Sequence, residues 1–74
     1  MENSDKRENF KRLAESRTNK IIDMLNLLGN LSNTSYYEYD MKEVNTIFNA
    51  IKNELDIQRK RFDEKKSRKK KFRL

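Results

Sequence analysis

The chain contains no proline, and Gly29 is its only glycine, so a sequence of 74 residues offers one position at which a helix is expected to break. A chain so poor in breakers reads as helical. The apolar residues confirm the period. Phe10, Ala14, Ile21, Met24, Leu28 and Leu31 recur at spacings of three and four, with Arg17 at the one polar position of the stripe. Met41, Val44, Phe48, Ile51, Leu55 and Phe62 repeat the rhythm, with Gln58 as the polar member. Strict alternation, the signature of a half-buried strand, is absent. The fold class expected is all-α, with helices at about 5–30 and 40–66.

Local signals place the helix ends. "DKRE" at 5–8 offers Asp5 as an N-cap with Glu8 three residues on. "YDMKEV" at 39–44 is stronger. Asp40 can accept from the backbone N–H of Glu43, Glu43 can reach back to Asp40, and Tyr39 and Val44 stand at the two ends of a hydrophobic staple. The first helix is expected to end near Gly29–Leu31, with Gly29 or Asn30 in the left-handed conformation of a C-cap. The connection "NLSNTSYYEYD" at 30–40 is rich in Asn, Ser and Thr, which compete for backbone hydrogen bonds and favour a turn. Asn30 and Asn33 are expected to serve the loop and helix-end backbone.

A short connection makes two helices antiparallel. Facing residue numbers then sum to roughly 72: Leu31 meets Met41, Met24 meets Phe48, Ile21 meets Ile51, and Phe10 meets Phe62 near the open end. Arg17 and Gln58 either fix the register or mark where the seam opens to water. Leu13, Ile22, Leu25, Leu27 and Ile47 widen the apolar faces beyond what two helices can cover. Pairing two hairpins into a four-helix bundle covers them. The alternative is a lone hairpin that docks its spare apolar residues on another protein. The interaction surface expected comprises Leu25, Leu28 and Ile47, with Tyr36 or Tyr37 as an exposed contact.

Composition removes whole classes of chemistry. There is no Cys and no His, which excludes disulfides and a Cys/His metal site. General acid–base work most often uses His, no Ser has a His partner, and no Gly-rich loop could cradle a phosphate. Carboxylates in "KNELD" and "DEKK" sit among lysines as solvated helix charges. The expectation is a protein with no enzymatic activity, no cofactor and no metal. Neither an export signal nor the ~18–20 apolar residues of a membrane span is visible, so the cytoplasm is the expected compartment. The "NLS" and "NTS" tripeptides at 30–35 match the glycosylation pattern only as chance does. The wealth of Asn, Lys and Ile points to an AT-rich, low-GC bacterium.

Charge divides the chain. Residues 1–64 carry 11 basic and 12 acidic groups, a net of −1, whereas residues 65–74, "KKSRKKKFRL", carry seven basic groups and no acidic one. The net charge of +6 therefore comes from the last ten residues. The organisation expected is a helical hairpin at 1–64 and a basic tail at 65–74. Counted from "RKR" at 59–61, the candidate nucleic-acid-binding residues are Arg59, Lys60, Arg61, Lys65, Lys66, Arg68, Lys69, Lys70, Lys71, Phe72 and Arg73. Four consecutive basic residues ring a helix rather than marking one face, which suits diffuse contact with phosphates and no base reading. The other reading is a solvating tail on a protein-interaction module, an adaptor or inhibitor. Partners expected are a second copy, DNA or RNA, or another protein.

Three motifs carry a resemblance: Arg17, Asn19 and Lys20 as R-x-N-K, then Gly29 to Asn33 as G-N-L-S-N, then Tyr37, Tyr39 and Asp40 as Y-x-Y-D. In these, the central half of the chain resembles a group of small bacterial proteins associated with mobile elements of Gram-positive bacteria. The resemblance implies a helical hairpin. It brings no established activity, so no residue acquires a role from it. In architecture alone, a dimer of such hairpins is similar to the plasmid copy-control protein Rop, which binds RNA, but fold does not imply function.

Overall fold

The computed structural model describes the backbone of residues 2–71 and the side chains of residues 5–65. The chain is all-helical: α1 (Glu2–Gly29), a single 3-10 turn (Asn30–Ser32) and α2 (Met41–Lys71), with no strand among the described residues. It divides into two units between Glu38 and Tyr39.

The first unit holds α1 and the 3-10 turn. Helix α1 begins before Asp5, so Asp5 is a residue of the first turns and not the N-cap expected of it. Nothing in "ENSDKRE" forbids helical backbone: there is no Pro, no Gly and no β-branched residue. The other end also departs from expectation. Gly29 sits at φ −62° and ψ −27°, right-handed, and no described residue has positive φ. The helix tightens instead of reversing. The amide of Asn33 donates to the carbonyl of Asn30 at 3.3 Å, the 3-10 alternative for satisfying a carbonyl at a helix end. Beyond it, Asn33 organises the loop as anticipated. Its side-chain Oδ1 accepts from the amide of Ser35 at 2.9 Å, and its carbonyl accepts from the amides of Tyr36 and Tyr37 at 3.1 and 3.0 Å.

This geometry has a measurable consequence. An added Cβ at Gly29 meets nothing within 4 Å, and the backbone is already helical. Gly29→Ala should therefore stabilise the helix by about 0.4–1 kcal/mol, chiefly by restricting the unfolded chain. A left-handed cap would give destabilisation instead. Thermal melting followed by circular dichroism distinguishes the two by the sign of the shift.

The second unit holds α2, and its start follows the expected cap. The amide of Glu43 donates to Asp40 Oδ1 at 2.7 Å, and the amide of Asp40 donates to Glu43 Oε1 at 3.0 Å. The carbonyl of Asp40 accepts the first helical bond from Val44 at 3.2 Å. Two otherwise orphaned donors are thus satisfied reciprocally, an arrangement typically worth about 1 kcal/mol. Val44, at the inner end of the expected staple, is half-buried. Thr46 is accommodated inside the helix because its hydroxyl donates to the carbonyl of Lys42 at 2.9 Å. The helix then continues to Lys71, five residues past the expected end near 66. Lys and Arg are good helix formers, and nothing between 60 and 71 breaks a helix.

No described residue is fully buried. The four half-buried ones, Ala14, Leu28, Val44 and Ile51, all fall on the two apolar stripes read from the sequence.

Candidate nucleic-acid interface

Helix α2 positions the basic candidates. Arg59, Lys60, Arg61 and Lys65 are exposed on its C-terminal half, and the backbone at Lys66, Arg68, Lys69, Lys70 and Lys71 continues the same helix. The side chains of these last five lie outside the described residues, as do Phe72 and Arg73 entirely.

Two small networks order the described part. Arg59 Nε lies 3.5 Å from Asp63 Oδ1, an exposed i,i+4 pair that is worth only ~0.3–0.5 kcal/mol. It offsets one positive charge at little gain in stability. In the second network, Gln58 Nε2 donates to Glu54 Oε2 at 2.6 Å, and Arg61 Nη1 donates to Gln58 Oε1 at 2.9 Å. Both ends of the Gln58 amide are thereby occupied, and the Arg61 guanidinium is held one turn along from Gln58. Gln58, Arg61, Phe62 and Lys65 line an open, mostly apolar depression on this helix. Lys65 makes no ion pair with another described residue.

By its spacing Phe62 belongs to the apolar stripe of α2. Gln58 is the polar member of that stripe, between Leu55 and Phe62.

The expected interaction surface lies on both units. Leu25 and Ile47 are exposed and Leu28 is half-buried. In the loop, Tyr36 is 80% exposed and Tyr37 49%, with ring centroids 6.5 Å apart and planes tilted by 58°. Tyr36 is thus the more exposed member of the pair. Its neighbours in sequence include Glu38 and Asp40 and no nearby cation before Lys42, which disfavours phosphate there. The aromatic loop and the basic end of α2 are chemically distinct surfaces.

Among the described residues, no group of His, Cys, Asp and Glu could hold a metal ion. No described helix is long and apolar enough to cross a membrane. Comparison with family models, with curated proteins and with solved structures finds no match. The motif residues of the resemblance occupy the middle of α1 (Arg17, Asn19, Lys20), its end and the 3-10 turn (Gly29 to Asn33), and the approach to α2 (Tyr37, Tyr39, Asp40).

Proposed function

We propose that this is a small, non-enzymatic accessory or regulatory protein that binds DNA or RNA through the basic end of α2. The observation that carries the reading is the charge split: a body of net −1 followed by ten residues with seven positive charges and no negative one. A polyanion with regularly spaced phosphates is the natural complement of such a segment, and backbone contact of this kind needs no base-specific geometry. The continuation of α2 to Lys71 supports it, since a helix spaces the charges at a regular rise.

The body serves this role as a dimer of antiparallel hairpins in which the two apolar stripes and their flanks, Leu25, Leu28 and Ile47 among them, are covered by one another and by a second copy. Exposed apolar residues along both helices support that reading, because contiguous patches of this kind mark association surfaces. Two bodies would then present two basic helix ends to one nucleic acid. The setting proposed is the bacterial cytoplasm, and the motif resemblance favours a mobile genetic element.

Binding of labelled DNA and RNA by the full chain and by residues 1–64 is the test. Binding by the first and none by the second is the result expected. A second reading, a protein-interaction module with a solubilising tail, draws support from one observation, the exposure of Tyr36 beside Tyr37 on the loop. It takes precedence if the full chain binds neither nucleic acid at low salt.

A further inference from the structure

We propose that the end of α2 enters the major groove of B-form DNA and grips phosphates on both walls of that groove; this rests on the nucleic-acid reading above. The apolar stripe of α2 ends at Phe62, yet the helix runs on to Lys71. Residues 63–71 include no apolar residue, and neither do residues 2–9 of α1. A dimer of hairpins therefore has no hydrophobic reason to cover this stretch. At about 1.5 Å per residue it carries the helix roughly 13 Å past its last apolar position. Its last carboxylate is Glu64, and residues 65–71 are six cations and Ser67.

Helical backbone fixes how those six positions are distributed. At about 100° per residue, Lys65, Lys69, Lys66, Lys70, Lys71 and Arg68 fall at about 0°, 40°, 100°, 140°, 240° and 300° around the axis. The widest gap is about 100°, and position 67 lies within it. One row of phosphates runs along one side of a helix and meets about two or three such positions. Two rows with the helix between them meet positions on both sides. A helix with its side chains is about 10–12 Å across, and the major groove of B-form DNA is about 12 Å wide, walled by the two backbones. The major groove of an A-form RNA duplex is deep and too narrow to admit it. Charge on every side of an uninterrupted helix thus selects duplex DNA, whereas the same charges on an irregular tail would take either duplex.

The test gives the full chain three duplexes of one sequence: DNA, RNA, and DNA whose cytosines carry glucosylated hydroxymethyl groups. Those groups fill the major groove and leave the phosphates unchanged. The plain DNA duplex should bind on the order of tenfold more tightly than either of the others. Ser67→Pro keeps every charge and breaks the helix within the basic segment. It should lose on the order of tenfold on the plain DNA duplex, while Ser67→Ala stays within about twofold of wild type. Thermal melting of the body should be the same in both variants, because position 67 lies past the last apolar residue of α2. Equal affinity for the three duplexes, tighter binding to RNA, or a Ser67→Pro chain that binds as wild type does overturns the groove and leaves the phosphate grip intact. Failure of the wild-type chain to bind any of them overturns the nucleic-acid reading itself.

Discussion

Replacing the seven lysines and arginines of residues 65–74 by glutamine is expected to abolish nucleic-acid binding while leaving the helical body in place. Seven of the ten basic groups from Arg59 onward disappear, and the net charge of the chain falls from +6 to −1. If four to six of those groups neutralise phosphates, the lost counterion release lowers affinity by roughly a thousandfold or more at low salt. Glutamine has nearly the helix propensity of lysine, so circular dichroism should change little. The same loss is expected of the 1–64 protein. Affinity unchanged in either would move the grip elsewhere on the molecule. The remaining cations, Arg59, Lys60 and Arg61, could not replace it, since Asp63 and Glu64 lie beside them and Arg59 already pairs with Asp63.

Ile51→Asp is expected to convert a dimer into a poorly folded monomer. Ile51 is one of two half-buried residues in the described part of α2, and it lies at the centre of the stripe running from Met41 to Phe62. In a dimer of hairpins that position is enclosed, and an unpaired carboxylate there costs several kcal/mol. Few domains of this size have that margin, because their net stability is itself only about 5–15 kcal/mol at best. Asn53→Asp adds the same charge two residues further on, roughly on the opposite side of the helix, and should leave mass and melting unchanged. Sedimentation at micromolar concentration should give the wild-type chain and Asn53→Asp about twice the monomer mass, and Ile51→Asp the monomer mass. A wild-type monomer that melts cooperatively contradicts self-association and points to hydrophobic docking on a different protein.

Features that depend on a few neighbouring residues were legible in the sequence. The box of Asp40 and Glu43 forms with both of its hydrogen bonds, because its donors and acceptors lie within four residues and no distant element competes for them. Asn33 organising the loop is of the same kind. Helix ends without a unique local solution were less legible. Gly29 permits a left-handed cap, yet a 3-10 turn satisfies a helix-end carbonyl equally well, and spacing cannot choose between them. Asp5 is a good cap and also an acceptable first-turn residue, so the helix runs past it. The basic run reads as a tail when charge alone is considered, whereas propensity carries α2 through to Lys71. Periodicity says which side chains share a face and is silent on what covers that face.

The salt dependence of nucleic-acid affinity tests most directly whether the end of α2 grips phosphates. With four to six phosphates neutralised per bound unit, log K against log salt concentration should fall with a slope of about −4 to −5 on duplex DNA. A rise from 50 to 200 mM salt should then weaken binding by roughly 250- to 1,000-fold. The glutamine-substituted chain should give a nearly flat line. A full chain whose affinity is unchanged across that range, or that shows no binding at the low-salt end, would contradict a basic helix end acting as the grip.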